Sequence, residues 1–421
     1  MKTRGLIAEE VHYTIAEGNK SLLRSVHVQI QPGELIGLIG PNGAGKSTLM
    51  KILLGFLQPT DGVVSLDSHP LVKLSAKQRA QSIAYMGQQG PGAFPFTAVE
   101  IVEMGTYPVL GTGKQPGKTE RAAAMDALNY VGMGDFAQRN FLTLSGGEKQ
   151  LVLFARVLVQ NTPYILLDEP TANLDLGHET QLLQMSRELC KEGKGIMIAM
   201  HNLNSAAEFC DRLILLDRGE LVAQGTPREV LTQKRVEQYY HTHARVGINE
   251  STGSITVTPV PQIQTQQGFK VHIIGGAGSS VTLTRLFHLQ GIPMTGGVAH
   301  ELDSDAKLWK ALGIPYLEVP AFSEITEDVY GKAKNFVDEA DLVILCSFPF
   351  GRGNVGNLEL ASYAALGNKL IILSTHTGTC ERGFYLPHID NLYRKIEQEN
   401  PPLDLEQALE QVRNKISVKL N

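Results

Sequence analysis

The sequence predicts an α/β protein made of two successive α/β domains. Short apolar strands alternate with helical segments through most of the 421 residues, and one stretch rich in Thr, Gln and Pro interrupts this alternation between residues 241 and 268. A composition of 43% hydrophobic and 19% charged residues is typical of a folded chain. We therefore predict domains at residues 4–240 and 269–421, joined by a linker at 241–268.

Composition excludes several classes of protein. A net charge of −5 without a basic stripe gives no reason to expect a nucleic-acid partner. No apolar stretch approaches the ~18 residues that span a bilayer, and the first ten residues lack the apolar segment of a secretory signal. The cysteines are far apart and form no C-x-x-C pair, which indicates a reducing compartment: Cys190, Cys210, Cys346 and Cys380.

The first domain opens with a predicted antiparallel sheet. Alternating segments near residues 10–15 and 25–30 flank turn-forming residues at 17–20. Tyr13 lies on the first segment, where its ring either belongs to the core or stacks on an adenine base.

A glycine-rich loop follows a buried strand at residues 35–39 and opens a helix. It matches G-x-x-x-x-G-K-[ST], in which glycines let backbone N–H groups surround a phosphate and Lys46 reaches the terminal phosphates. Ser47 is expected to bind Mg²⁺. The sequence therefore predicts a nucleoside triphosphate site formed by Gly40, Pro41, Asn42, Gly43, Ala44, Gly45, Lys46, Ser47 and Thr48.

The middle of this domain alternates strands and helices. A short strand at residues 82–86 leads to Gln88, and Thr97 caps the helix that follows. Two glycines in the segment 144–150 then precede a long helix predicted to run from Gln150 to residue 159, and their small size leaves backbone that a phosphate can approach.

Two adjacent carboxylates end the next strand, at residues 164–167. Because side chains alternate along a strand and ligands bind at the carboxyl edge of open α/β sheets, we assign Asp168 to Mg²⁺ and Glu169 to the water that attacks the γ-phosphate. His201 ends another strand at the same predicted edge, where we expect it to contact the γ-phosphate.

The ordered set formed by the phosphate loop, Gln88, residues 144–150, residues 165–175 and His201 resembles the ATP-binding subunit of ABC transporters over residues 4–240. The resemblance implies a P-loop NTPase cassette with a RecA-like core, an antiparallel β subdomain and a helical subdomain. Asn202 after the histidine and Gly87 before the glutamine depart from the commoner residues, but neither removes a group that hydrolysis needs.

The same resemblance implies roles for individual residues and names the cofactors as ATP and Mg. It places Ser47, Gln88 and Asp168 at the metal, and Glu169, His201 and Gln88 in hydrolysis. It also implies nucleotide contacts from Ser145, Gly146, Gly147, Glu148 and Asp175.

Residues 94–108, 175–178 and 201–207 resemble the ATPases of cobalamin, haem and ferric-siderophore importers. This implies a homodimer of cassettes, integral-membrane permease subunits, a periplasmic or lipid-anchored substrate-binding protein that acts through the permease, and a peripheral position on the cytoplasmic face of the membrane. Two alternatives stay open: a non-transport ABC protein, and an ABC ATPase gated by a ligand-sensing C-terminal domain.

The second domain is predicted to be Rossmann-like, because strands near residues 270–274, 342–346 and 369–374 alternate with helices. Glycine-rich loops at 275–280 and 348–354 follow two of these strands. They either cradle an anionic ligand or form tight turns, and the predicted contacts are Ser279, Ser280, Arg352 and Asn354.

Two sets of side chains invite a metal interpretation or a structural one. The first lies in the predicted linker and the second in the second domain: His241 and His243, and His376, Cys380 and His388.

Overall fold

The structure is a computed structural model that describes residues 4–15, 20–87, 95–110, 114–172, 174–260, 268–374 and 387–420. The chain divides into two compact units, Met1–Pro261 and Gln262–Asn421. Predictions for the turn at 17–19, Gln88, His376 and Cys380 lie outside the described residues.

The first unit contains two sheets, a hairpin and nine described helices. Its strands are β1 (Leu6–Ile15), β2 (Lys20–Ile30), β3 (Leu35–Ile39), β4 (Asp61–Leu66), β5 (His69–Pro70), β6 (Ile83–Met86), β7 (Tyr164–Asp168), β8 (Gly195–Ala199), β9 (Arg212–Asp217), β10 (Glu220–Gly225), β11 (Ala244–Ile248) and β12 (Ile255–Pro259). Its helices are α1 (Lys46–Leu53), α2 (Ala76–Ser82), α3 (Ala98–Glu103), α4 (Lys118–Tyr130), α5 (Gly146–Val159), α6 (Leu176–Lys191), α7 (Leu203–Phe209), α8 (Pro227–Val230) and α9 (Gln233–Tyr240).

A six-stranded sheet in the order β10-β9-β3-β8-β7-β6 forms the centre of this unit. All its pairings are parallel except that of β10 with β9. Every residue of β3, β7 and β8 is buried, as expected for parallel strands covered on both faces. The register pairs Leu38 with Ala199 and Asp168 with Ala199, so these three strands end at one edge.

Two further layers complete the cassette. The antiparallel sheet has the order β2-β1-β4-β5 and pairs Ile7 with Gln29, as the alternation of the first thirty residues predicts. Helices α3, α4 and α5 pack through a shared apolar core that includes Val99, Leu128 and Phe154. Helix α5 begins at Gly146, earlier than the predicted Gln150, because Ser145 and Glu148 form a capping box.

The predicted linker contains regular structure instead. Strands β11 and β12 pair antiparallel, and Ala244, Ile255 and Val257 belong to the core of the first unit. Asn204 on α7 holds the hairpin, since its Oδ1 accepts from the Val257 N–H at 2.7 Å and its Nδ2 donates to the Val257 carbonyl at 3.3 Å. Alternating β-branched residues therefore outweighed the polar composition on which the linker prediction depended.

The second unit is a separate α/β body with its own core. Its parallel sheet has the strand order β14-β13-β17-β18, and β15 pairs with β16 beside it. The pattern agrees with the predicted alternation, although Rossmann-like stays a prediction. The elements are β13 (Val271–Ile274), α10 (Val281–Leu289), β14 (Met294–Gly296), β15 (Val298–His300), α11 (Ser304–Leu312), β16 (Leu317–Val319), α12 (Glu327–Glu339), β17 (Leu342–Leu345), α13 (Val355–Leu366), β18 (Leu370–Ile372), α14 (Pro387–Glu399) and α15 (Leu405–Leu420).

Candidate functional site: a phosphate loop beside two carboxylates

The loop between β3 and α1 requires glycine at two of its positions. A Cβ at Gly40 would lie 2.1 Å from the Leu216 carbonyl oxygen, and the residue has a φ of 147°. Gly45 has a φ of 105°, which a side chain rarely adopts. These constraints fix a tight curve at the carboxyl end of β3, directly before α1.

Lys46 is buried at the start of α1. Its Nζ donates to the carbonyls of Gly40 at 2.8 Å and Pro41 at 3.2 Å, so the ammonium closes the loop from inside. Burial lowers the pKa of Lys46, while the charges of Glu169 and Asp168 oppose that shift. In the described part of the chain no group accepts a hydrogen bond from the N–H of Gly43, Gly45 or Lys46, so the loop presents donors for an anion.

Asp168 ends β7 and faces the phosphate loop. Its Oδ1 accepts from the Ser47 hydroxyl at 3.2 Å, which brings together two of the three predicted magnesium ligands; Gln88 lies outside the described residues. Burial raises the pKa of Asp168, and the hydrogen bond from Ser47 opposes the rise. A carboxylate and a hydroxyl are oxygen ligands of the kind that Mg²⁺ prefers.

Tyr85 is a site residue that the sequence did not single out. Its hydroxyl donates to Asp168 Oδ2 at 3.4 Å from the neighbouring strand β6. Burial and the Asp168 charge raise the pKa of Tyr85 to about 12, so the hydroxyl remains a donor at neutral pH. Its place one residue before the end of β6 was the available signal, but the contact requires β6 to lie beside β7.

Glu169 and His201 are brought together across the sheet edge. Glu169 Oε1 lies 2.5 Å from His201 Nε2, although 32 residues separate them in the chain. Glu169 has a φ of 54°, a left-handed conformation that is unfavourable for a residue with a side chain. Strain of this kind concentrates at functional sites, and here it occurs in the residue whose carboxylate contacts His201.

The predicted signature residues form the start of α5. The Ser145 hydroxyl accepts from the Glu148 N–H, and the Glu148 carboxylate accepts from the Ser145 N–H at 2.6 Å. The hydrogen bond from that N–H lowers the pKa of Glu148. Ser145 and Gly146 are exposed, whereas a Cβ at Gly147 would lie 3.1 Å from His178 Nδ1.

Asp175 caps α6 from an exposed position. Its carboxylate lies 2.9 Å from both the backbone nitrogen and the Nδ1 of His178. The hydrogen bond from that backbone N–H lowers the pKa of Asp175. The carboxylate predicted to contact the nucleotide therefore already caps a helix of its own chain.

Several other residues that the sequence proposed as ligand or metal contacts pack against the protein or lie exposed on its surface. Tyr13 is half-buried and packs against the core beneath the antiparallel sheet, while Ile15 is exposed. His243 lies 3.8 Å from Glu237, and His388 is exposed on α14. Among the residues that the structure describes, no three His, Cys, Asp or Glu side chains are grouped as they would be around a metal ion.

The glycine-rich loop at 275–280 differs from its prediction as an anion cradle. Asp305 Oδ2 accepts from the Gly278 N–H at 2.9 Å, and Oδ1 accepts from the Ser280 N–H and hydroxyl at 3.0 and 2.6 Å. Asp303 accepts from the Ala277 N–H at 2.9 Å, and Ser279 Oγ accepts from the Gly276 N–H at 3.2 Å. Carboxylates of the chain itself therefore occupy the donors expected for a ligand.

The loop at 348–354 is also built around internal contacts. Asn354 Oδ1 accepts from the Gly351 N–H at 2.8 Å, and its Nδ2 donates to the Pro349 carbonyl at 2.9 Å. Of the four predicted contacts, Arg352 alone is an exposed charge. The two loops do follow neighbouring strands, because β13 pairs directly with β17.

The strand, glycine loop and helix that hold Lys46, with Asp168 and Glu169 at the end of β7 in the same sheet, define a P-loop nucleoside triphosphatase. The family model described as ABC transporter matches residues 23–172, and the MJ0874 family model matches residues 294–408.

The chain belongs to the ABC transporter ATP-binding proteins and is an ABC-type ATPase. It is 35% identical over 314 residues to the cobalamin import ATP-binding protein of Halobacterium salinarum, which covers 74% of this chain and 78% of that protein. It is 38% identical over 240 residues to the hemin import ATP-binding protein of Hahella chejuensis, which covers 55% of this chain and 92% of that protein.

Solved structures agree with this assignment. A metal-chelate type ABC transporter in an inward-facing conformation matches with a TM-score of 0.53 and 26% identity, covering 62% of this chain and 98% of that one. In the part of the chain that the structure describes, no helix has the length and apolar character needed to cross a bilayer.

Proposed function

We propose that this chain is the ATP-hydrolysing subunit of an ABC importer for cobalamin, haem or an iron-siderophore. One observation carries the proposal: Glu169 and His201 pair at 2.5 Å beside Asp168 and the phosphate loop, in a chain whose named relatives import cobalamin and hemin. The cargo class rests on those relatives, while the hydrolytic roles rest on the geometry.

Hydrolysis needs a positioned water and compensation of the phosphate charge. Glu169 accepts the proton of the attacking water, and His201 orients the Glu169 carboxylate and contacts the γ-phosphate. Lys46 moves from the carbonyls that it now contacts to the terminal phosphate oxygens, where its charge has a stronger partner.

Ser47 and Asp168 would hold Mg²⁺, and Gln88 is the third proposed ligand. The two described oxygens are already 3.2 Å apart, so a small rotation of either side chain would open the pair for a shared cation. When bound, Mg²⁺ neutralises charge on the phosphate oxygens. Tyr85 positions the Asp168 carboxylate through its hydrogen bond.

The proposed homodimer follows from the exposed start of α5. Ser145 and Gly146 present the N-terminus of a 14-residue helix, whose first N–H groups favour a phosphate. We infer that this end contacts the ATP held by the phosphate loop of a second chain. Asp175 and Glu148 would then act by shaping the same interface.

The proposed contact with the permease lies after α3. Phe96 is half-buried and packs against the helical core, so its main role is to stabilise the fold. Tyr107 and Val109 are 52% and 64% exposed and offer apolar area shortly after α3. The proposal includes a substrate-binding protein that acts through the permease, and a peripheral position of this chain on the cytoplasmic face of the membrane.

Reconstitution tests the proposal directly. The chain is co-expressed with a candidate permease, inserted into proteoliposomes with a substrate-binding protein, and assayed for ATP-driven uptake of cobalamin, haem and a ferric siderophore. Tyr107→Glu should abolish uptake while the isolated ATPase keeps its rate, and Val72→Glu, at an exposed apolar residue between β5 and α2, serves as the control. ATP turnover without uptake of any of the three would reject the import function.

A further inference from the structure

The second unit has an open cleft at the carboxyl ends of its strands. The cleft holds about 450 Å³, within the range of small-molecule sites, and is lined from the loops that follow β15, β16 and β17. Ligands of parallel α/β sheets bind at this edge. Its lining includes His300, Leu302, Phe322, Pro349 and Gly353.

His300 has a fixed ring in this cleft. Its Nε2 lies 2.9 Å from the Ser323 carbonyl oxygen, and because a carbonyl only accepts, the ring must donate from Nε2. The neutral imidazole therefore carries its lone pair on Nδ1. A histidine that binds a metal usually donates its other nitrogen to a carbonyl or carboxylate in this way.

Apolar side chains stand beside the histidine without packing on a core. Phe322 is 97% exposed and Leu302 is 65% exposed. Phe322 also has a φ of 63°, a conformation that a bulky residue avoids. The exposed ring of Phe322 is not part of the apolar core, and backbone outliers of this kind support a hypothesis of ligand contact.

The cleft is unsuited to a phosphate group. Asp303 lines the cleft, and its carboxylate, which accepts from the Ala277 N–H at 2.9 Å, would repel an anion. Nor do the described residues form a group of three metal ligands, so too few protein ligands surround His300 to hold a bare ion. A metal that binds here must bring its other ligands with it.

We propose that this cleft binds a metal-centred tetrapyrrole, a haem or a cobalt corrinoid, with His300 Nδ1 as an axial ligand. The macrocycle supplies four nitrogen ligands to its metal, and an imidazole completes one axial position. Phe322 and Leu302 cover part of the apolar macrocycle. Arg352, which is exposed between two glycines, is available to pair with carboxylate groups on the edge of the macrocycle. The choice of ligand class rests on the proposed function of the cassette.

Absorption spectroscopy on the purified full chain tests this site. We titrate the chain with hemin, with aquocobalamin, and with metal-free protoporphyrin IX. Wild-type protein should shift the main absorption band of hemin, aquocobalamin or both, and bind protoporphyrin more weakly because that ring has no metal. The macrocycle whose absorption band shifts is the one that the site accepts.

Three variants separate coordination from adhesion of an apolar molecule. His300→Ala should remove the spectral shift and weaken binding by at least about 10-fold. Phe322→Asn, which suits the left-handed backbone, should keep the shift and weaken binding about 2- to 10-fold without lowering the Tm. His388→Ala on α14 is the matched histidine control and should change neither.

The outcomes decide the proposal and are distinct from those of the uptake assay. Absence of a shift with both metal macrocycles, or a shift that His300→Ala retains, overturns the site. If uptake of a macrocycle continues while the purified chain shows no shift, the import function stands and this inference alone is wrong. A shift without uptake supports the site and rejects the import function.

Discussion

Replacing Glu169 with glutamine should separate ATP binding from hydrolysis. The Glu169 carboxylate lies 2.5 Å from His201 Nε2, and an amide of nearly the same shape can keep a hydrogen bond there. What the amide cannot do is take a proton from water. We expect kcat to fall about 10²- to 10⁴-fold, equivalent to about 3–5 kcal/mol in the barrier, while the Kd for ATP stays within a few-fold.

The assay is phosphate release at saturating ATP and Mg²⁺, with ATP affinity measured separately in the Glu169→Gln protein by fluorescence titration. His201→Ala and the double variant complete a cycle. Because the two side chains are in contact, the double variant should lose much less than the product of the single losses. Turnover within about threefold of wild type would refute the assignment of Glu169, and strictly multiplicative losses would refute the pairing.

Three further predictions concern binding, stability and pH. Lys46→Ala should raise the Kd for ATP about 10- to 100-fold in the same titration, with Lys77→Ala, at an exposed lysine on α2, as the control. Equal affinities of the Lys46→Ala protein and wild type would contradict the role of the ammonium. Gly40→Ala should lower the free energy of unfolding in urea by about 3 kcal/mol or more, because its Cβ would lie 2.1 Å from a carbonyl oxygen. Gly43→Ala is the control, since a Cβ at Gly43 meets nothing within 4 Å. Similar urea midpoints for the two variants would contradict this account. Burial lowers the pKa of His272 to about 3, so the folded second unit binds fewer protons than the unfolded chain below pH 6.5. The contribution of His272 to the stability of the second unit is complete above that pH, and below it the free energy of unfolding should fall by up to about 1.4 kcal/mol per pH unit. The test is a Tm series from pH 7.5 to 4.5 for wild type and His272→Leu. Parallel curves for the two proteins would exclude this effect.

The sequence was most informative where chemistry is encoded locally. A strand, a glycine loop and a helix occupy consecutive residues, so the phosphate loop around Lys46 needs no knowledge of the rest of the chain. The contacts of Asp168 and Glu169 are different in kind. They depend on β7 lying between β6 and β8, and 83 residues separate Tyr85 from the carboxylate that it contacts. A role for a tyrosine near a strand end becomes specific only when the strand order is known.

Composition misled the prediction in the segment after the cassette. Residues 241–268 are rich in Thr, Gln and Pro, which is typical of linkers, yet Ile255 and Val257 alternate with polar residues and fill the core against α7. Five residues of alternation are a weak signal in isolation. The deciding contact is the pair of hydrogen bonds from Asn204, 53 residues earlier, which no local pattern can reveal.

A comparison of the phosphate loop with the loop at 275–280 shows why a turn pattern alone does not predict an anion site. Both follow a buried parallel strand and both precede a helix. At the phosphate loop the N–H groups of Gly43 and Gly45 have no acceptor among the described residues, and Lys46 adds a positive charge. At 275–280 Asp303 and Asp305, about 25 residues further along, supply acceptors for equivalent donors.

A carboxylate of the chain and a phosphate of a ligand compete for the same N–H groups, so the tethered carboxylate prevails in the second loop because its binding loses no translational freedom. Burial raises the pKa of Asp305, but the hydrogen bonds that it accepts from Ser280 and Gly278 oppose that rise. Those bonds hold the loop closed to anions. The macrocycle site that we propose in this unit therefore uses the Nδ1 lone pair of His300 and the exposed ring of Phe322 instead of backbone donors.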